Sequence, residues 1–137
     1  MTRLQENIAV TEYVVPLVFV TSNVPDAAGT ARAVEAASDD YVMPFAGSVI
    51  GITVRHNADL TGGIITWNPV VNDVAKTAIS AVTNDTNQQA VKTVDADLVP
   101  FAVGDRIGCE WTKSGTVAPT TTDVVVIVWV LLTGVKV

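Results

Sequence analysis

The chain has 137 residues, of which 49% are hydrophobic, a length and composition that suit one compact domain with its own core. Fourteen acidic and eight basic residues give a net charge of −6, and the basic residues are scattered singly. Because phosphate binding relies on clustered Lys and Arg, this pattern argues against a nucleic-acid partner. One cysteine, Cys109, allows no intrachain disulfide, so packing alone must hold the domain together.

No segment is typical of export or membrane insertion. Residues 1–12 lack the apolar run and the small-residue cleavage site of a signal peptide. The longest apolar run, Val124–Leu132, is far shorter than the roughly 20 residues of a membrane helix, and its β-branched residues favour a strand. We therefore expect a soluble protein that is made without export by a signal peptide and has no membrane partner.

In the first part of the chain, Val- and Thr-rich segments alternate with turn residues, which is typical of a β-sandwich or barrel. The first predicted strand is Tyr13–Thr21. Its Pro16 has no amide donor and should lie at a sheet edge or a bulge. Residues 22–31 are predicted to form a loop, and residues 32–38 a strand in preference to a short helical turn.

Two central strands are predicted from alternation. In Ser48–His56, alternation puts Ile50, Ile52 and Val54 on one face. In Ile64–Asn72, Ile65 and Trp67 share a face, and the segment that follows is predicted to pair back in a hairpin around Asn72-Asp73.

The last strands are the most apolar. In Asp105–Thr112, the residues Ile107, Cys109 and Trp111 point to one side. The final strand, Asp123–Thr133, is apolar on both faces, so its second face needs a cover, and a neighbouring subunit is the simplest one. The candidate oligomer interface is Val125, Ile127, Trp129 and Leu131, with Val124, Val126, Val128 and Val130 as the alternate set.

One short motif occurs twice. Pro44-Phe45-Ala46 is followed by Gly47, and Pro100-Phe101-Ala102 is followed after one extra residue by Gly104. In this motif the proline fixes a turn, the aromatic plugs the end of the core and the glycine allows a sharp bend. A double Greek key contains two similar corners of this kind. The predicted fold is therefore all-β, a single-domain jelly-roll or Greek-key β-sandwich over residues 13–137.

No catalytic, cofactor or metal signature is found. His56 is interpreted as a partly exposed turn histidine, although a triad is open without coordinates. Cys109 is interpreted as a small buried hydrophobe. One Cys and one His cannot make a structural zinc site, and Asp85, Asp95 and Asp97 lack the EF-hand spacing of a calcium loop. We expect no enzymatic activity and no cofactor.

The tryptophans Trp67, Trp111 and Trp129 suggest either core packing or a sugar-stacking platform, and core is favoured for Trp111.

The stretches MPFAGSVIGITVRHNADLTGG and PFAVGDRIGCEWTKSGTVAPTTTDVVVIVWV carry a resemblance over about residues 40–133. They resemble small β-sandwich proteins of tailed-bacteriophage particles, which include capsid decoration (cement) proteins and fibre heads. The resemblance implies a jelly-roll homotrimer that is made in the host cytoplasm, lies on the capsid surface of the virion, binds the major capsid protein and stabilises the shell. The alternative it leaves open is the receptor-binding head of a tail or head fibre that recognises a host surface glycan. A carbohydrate-binding or enzymatic module ranks third.

The N-terminal residues 1–12 carry too little apolar surface to fold alone. We expect either an arm that orders on a neighbour or the first edge strand of the domain itself. The candidate capsid-contact residues of the arm are Arg3, Leu4, Ile8 and Val10.

Overall fold

The structure is a computed structural model that describes residues 10–21, 29–31, 40–119 and 123–136. Its strands, in chain order, are β1 (Val10–Thr21), β2 (Gly29–Ala31), β3 (Tyr41–Val42), β4 (Gly47–His56), β5 (Gly62–Val71), β6 (Val74–Ala75), β7 (Ala81–Thr83), β8 (Gln89–Thr93), β9 (Pro100–Phe101), β10 (Arg106–Ala118) and β11 (Val124–Lys136). A short 3-10 helix, Thr77–Ile79, lies between β6 and β7. No helix in these ranges is long and apolar enough to cross a membrane.

The strands form two antiparallel sheets. Sheet A has the order β1-β11-β4-β8, with β9 also paired to β4, and sheet B has the order β2-β10-β5-β6, with β3 on β10 and β7 on β5. Most neighbours in each sheet come from distant parts of the chain, and the first strand pairs with the last. This is a jelly-roll β-sandwich, so the predicted fold class is confirmed.

The first strand lies at one end of the strand order in sheet A. Its Pro16 is paired with Trp129, which confirms the predicted edge position for a residue without an amide donor. The strand begins three residues before the predicted boundary, because Val10 pairs with Lys136. Val10 therefore pairs within this chain's own sheet, as in the edge-strand alternative for residues 1–12. The other arm candidates, Arg3, Leu4 and Ile8, lie outside the described residues.

The core lies between the two sheets and takes one face of each long strand. On β11 the inward residues are at most 2% exposed, and they are Val124, Val126, Val128 and Val130. This burial removes the alternate set as an interface candidate. From sheet B, the inward residues of β5 and β10 are also buried, which confirms the predicted faces: Ile65, Trp67, Ile107, Cys109 and Trp111.

A bulge in β4 changes one predicted face. Trp129 pairs with Gly51, but the next residue of β11 pairs with Val49, so Ile50 is the extra residue. An extra residue shifts the alternation by one position. Val49 is fully buried with Ile52, whereas Ile50 is only half-buried. The prediction that Ile50 shares a face with Ile52 and Val54 was wrong for this reason.

The chain between β5 and β7 forms the predicted hairpin and then departs from it. Asn72 and Asp73 have φ of 49° and 67°, the left-handed pair of a type I′ turn. The returning strand β6 is only two residues long, and β7 pairs with β5 again after the 3-10 helix. In the segment predicted as a loop, Gly29–Ala31 instead pairs with β10. The strand predicted for residues 32–38 lies outside the described residues.

The two similar corners lie side by side. Residues 43–46 carry the chain from β3 in sheet B to β4 in sheet A, and residues 102–105 carry it from β9 in sheet A to β10 in sheet B. Met43 N donates to Asp105 O (2.9 Å), and Gly104 N donates to Met43 O (2.8 Å). The two copies of the motif are therefore the two crossings between the sheets at one end of the sandwich. Phe101 is buried as predicted, but Phe45 is 39% exposed and does not plug the core.

Candidate interaction face

The outward side of sheet A is mainly apolar on β1 and β11. Since the inward residues of β11 and β1 are buried, their alternate residues face outward. We call this surface the outer apolar face, and it comprises Val14, Pro16, Val18 and Val20 on β1, Val125, Ile127, Trp129 and Leu131 on β11, Thr53 on β4, and Val91 on β8. Of these, Val14, Val91 and Val125 are exposed by 58%, 71% and 44%.

Strand register arranges the face in rows. Val18 pairs with Ile127, Ile127 with Thr53, and Thr53 with Val91, so one row runs across all four strands. Cross-strand neighbours of this kind pack on one another and hold the side chains in place. The exposed side chains of the face are therefore neighbours on one sheet and are not isolated surface residues.

The outer apolar face is uneven around Trp129, where a hollow lies beside the indole ring. Its indole Nε1 donates to Thr53 Oγ1 (3.2 Å), which directs the ring toward the neighbouring strand β4. Next to the ring lies a hollow of about 210 Å³ lined by Val14, Ile50, Gly51, Thr93 and Trp129, among others. The hydrogen bond satisfies the polar atom of the indole and leaves its apolar ring available for contact.

Charges on the face lie at its margins. In the described parts of β1, β4, β8 and β11, Arg55 lies at one end of the face and donates to Gln89 Oε1 (2.7 Å), while Glu12 lies on β1 at the other end. Depletion of charge in the centre and polar groups at the rim are typical of protein–protein interfaces. A large exposed apolar patch on a protein surface likewise marks a contact surface.

The predicted interface residues are brought together here. Val125, Ile127, Trp129 and Leu131 all belong to the outward set, and Val125 is exposed while the other three are half-buried. Sequence reasoning missed the contribution of β1 and β8. Alternation in Tyr13–Thr21 was the available signal for Val14 and Val18, whereas nothing in the short segment of β8 indicated that Val91 would join them.

A depression adjoins one end of the face. It has a volume of about 400 Å³ and is lined by the ends of β1 and β4 and the start of β11, including Thr21, Arg55, Asn57 and Asp123. Asn57 Oδ1 accepts a hydrogen bond from Asp123 N (2.9 Å), which ties the two strand ends together. The depression is open, and the described histidine that borders it, His56, has its Nε2 2.8 Å from Thr83 Oγ1.

His56 is buried, which corrects its interpretation as a partly exposed turn residue. Its side chain points between the sheets, where Nε2 lies 2.8 Å from Thr83 Oγ1, and the same hydroxyl accepts from Trp67 Nε1 (3.1 Å). Its Nδ1 is buried without a hydrogen-bond partner in the described chain. Burial lowers the pKa of His56 to about 4. A neutral imidazole on a threonine hydroxyl belongs to the core and is not arranged as the base of a triad.

The remaining candidate groups are structural as well. Cys109 is fully buried, and burial, with a smaller effect from Glu110, raises the pKa of its thiol. Within the described ranges no group of three or more acidic, His or Cys side chains is placed to hold a metal ion. Trp67 and Trp111 lie in the core with ring centroids 6.2 Å apart, while Trp129 is on the opposite side of sheet A. The three tryptophans therefore form no sugar-stacking platform.

No protein-family model matches the sequence, and the comparison with curated proteins gives no match. Solved structures share the architecture at low identity. A chain of the acidic stable capsid structure of Helicobacter pylori bacteriophage KHP30 aligns over 93% of this chain and 99% of its own, with a TM-score of 0.52 and 4% identity. A chain of the cyanophage Pam1 capsid aligns over 90% and 86%, with a TM-score of 0.49 and 16% identity. Murine APRIL aligns over 86% and 99%, with a TM-score of 0.45 and 14% identity. At these identities the likeness concerns the fold alone.

Proposed function

We propose that this chain is a structural virion protein of a bacteriophage, a capsid decoration protein that binds the outer surface of the head as a homotrimer. Its partners in this proposal are two further copies of itself and the major capsid protein of the same particle. No catalytic step is part of this role, which requires only binding surfaces.

The observation that carries the proposal is the outer apolar face. The chain has a net charge of −6, yet the described centre of this face holds Val, Ile and Trp side chains and no carboxylate. Association of copies through this face removes apolar surface from water, which stabilises an assembly by about 25 cal/mol per Å² of apolar area. Contact through Val125, Ile127, Trp129 and Leu131 accounts for the two-sided apolarity of β11.

The similarity in fold to a phage capsid chain also supports a role in a phage particle. A chain of the KHP30 capsid structure has this fold over nearly its whole length, so the architecture is compatible with a place in a phage shell. Stabilisation of the shell follows from mass action, because a protein that binds only the assembled shell lowers its free energy relative to the free subunits. Several contacts per trimer add through avidity.

Two measurements test the proposal. Sedimentation velocity at micromolar concentration should give the mass of a trimer, and the trimer should sediment with shells of the encoding phage prepared without this chain. A monomer that does not bind such shells contradicts the proposal. Binding to host cells in the absence of shell binding favours the fibre-head alternative instead.

A further inference from the structure

A second apolar surface lies at the end of the sandwich where the two corners meet. We call it the corner patch, and its exposed residues are Val42, Phe45, Val74, Leu98 and Val103. Val42 and Val103 are each 66% exposed, and Leu98 is 57% exposed. None of these side chains belongs to the outer apolar face.

Backbone pairing places these residues at the same end. Val42 pairs with Arg106, and Asn72 N in the turn before Val74 donates to Arg106 O (2.9 Å). Val103 precedes Gly104, whose amide donates to Met43 O (2.8 Å), and Phe45 lies two residues after Met43.

Leu98 joins the same end through the start of β4. Pro100 pairs with Ser48, and Val49 N donates to Val99 O (2.9 Å), so the turn that carries Leu98 is fixed against β4. The doubled motif therefore presents apolar side chains from both corners and from the adjoining turns.

The patch is held rigidly. Besides the two hydrogen bonds between Met43 and residues 104–105, Ala102 N donates to Asp105 Oδ2 (2.8 Å), and Ser48 Oγ accepts from Asp97 N (3.2 Å). A surface fixed by its own backbone loses little conformational freedom on binding, which favours affinity.

The border of the patch is acidic. Segments 40–49, 72–74 and 95–106 contain five carboxylates and one cation, Arg106. Arg106 is already paired with Asp40 and Asp73. Hydrogen bonds from the Asn72 side chain and the Ala102 amide lower the pKa of Asp105, which keeps that carboxylate ionised. Asp95 and Asp97 are exposed.

We propose that the corner patch is the surface that docks on the shell, and that it fits a protein surface with an apolar hollow bordered by Lys or Arg side chains. This inference rests on the proposed decoration function and specifies the surface used and the chemistry of its partner. Another copy of this chain fits poorly as the occupant, because its own corner end carries the same acidic border, and Arg55 is the one cation among the described outward side chains of sheet A.

The test uses shells prepared without this chain as the probe. The double variant Val42→Ser/Val103→Ser should bind shells about tenfold more weakly than the wild type, with an unchanged oligomer mass. Val82→Ser is the matched control, since Val82 is 41% exposed on β7 in sheet B, and it should bind within about twofold of wild type. Equal shell binding by the double variant and the wild type overturns the inference while leaving the decoration function standing.

A charge variant tests the acidic border without changing apolar packing. Asp95→Asn/Asp97→Asn should weaken shell binding about threefold at low salt and reduce its salt dependence. Unchanged affinity and salt dependence contradict a basic border on the partner. If the Val42→Ser/Val103→Ser variant instead loses its oligomeric state, the corner patch is a contact between copies and the docking inference is wrong. If the wild type binds no shells, the proposed function itself fails.

Discussion

His56 is an ionisable group buried between the two sheets, and its described hydrogen-bond partner is a neutral hydroxyl. Its partner is the hydroxyl of Thr83, which Trp67 shares, and burial is the cause of the low pKa of about 4. In the unfolded chain the imidazole has a pKa near 6.5. Between these values the unfolded state binds more protons than the folded state, so stability decreases as the pH falls from about 6.5 to about 4.

We therefore expect the wild type to lose up to about 3 kcal/mol of unfolding free energy across this pH window. Urea unfolding at several pH values measures the loss. In His56→Gln the stability should change much less over the same window, although it will be lower at pH 7. An identical pH dependence in wild type and His56→Gln excludes His56 as the cause.

Gly47 and Gly104, the glycines of the two similar corners, should differ in how much an added Cβ atom destabilises the fold. A Cβ on Gly47 would overlap the carbonyl oxygen of Leu131 and lie 2.9 Å from Phe101 Cζ, so Gly47→Ala should cost at least about 3 kcal/mol. Gly104 has φ of +85° and open space around its Cβ position, so Gly104→Ala should cost only about 1–2 kcal/mol of backbone strain. Thermal unfolding of both variants measures the difference, and equal destabilisation contradicts the described corner geometry.

On strand β11, inward residues should determine the stability of the fold, and outward residues should determine the association of copies. Val128 is fully buried toward the core, whereas Ile127 is half-buried on the outer apolar face. Val128→Ala should lower the unfolding free energy by about 2 kcal/mol and leave the oligomer mass unchanged at concentrations where the protein is folded.

Ile127→Ser should have the opposite signature. We expect the trimer to dissociate to folded monomers at micromolar concentration, with a far-UV spectrum like that of wild type. Sedimentation velocity distinguishes the two variants. A stable trimer of Ile127→Ser places the contact between copies elsewhere.

Sequence patterns predicted those elements whose side chains alternate without interruption. The faces of β10 and the turn at Asn72-Asp73 followed from period-two alternation and turn chemistry, whereas the apolar residues on both sides of β11 left open which side enters the core. The bulge at Ile50 and the strand at Gly29–Ala31 did not, because a register shift and a pairing to a distant strand leave no mark in a local pattern. His56 was misjudged for a related reason, since its hydroxyl partner lies on β7, 27 residues away in the chain.

The interaction surfaces were predictable only in part. The two-sided apolarity of β11 indicated the outer apolar face, but its extension over β1 and β8 depends on sheet order. The doubled corner was visible as a repeat, whereas the exposure of Phe45 and the burial of Phe101 depend on which sheet each corner enters. Identical residue types therefore acquired different roles.

For the whole molecule, the charge of −6 opposes association while the outer apolar face favours it. Salt screens repulsion between copies and does not weaken apolar burial. We expect the trimer to persist, and its dissociation constant to fall, when the salt concentration rises from about 0.05 M to about 0.5 M. Dissociation at high salt, measured by sedimentation equilibrium, means that ion pairs hold the copies together.

We propose that three copies sit together on the outside of a phage head, and electron cryomicroscopy of the encoding phage shows whether they do. Particles with and without this chain should differ by three-fold clusters of jelly-roll density on the outer capsid surface, with the corner patch toward the shell and the outer apolar faces toward one another. A difference density confined to the tail or to a fibre tip, or no difference on the head, contradicts the account.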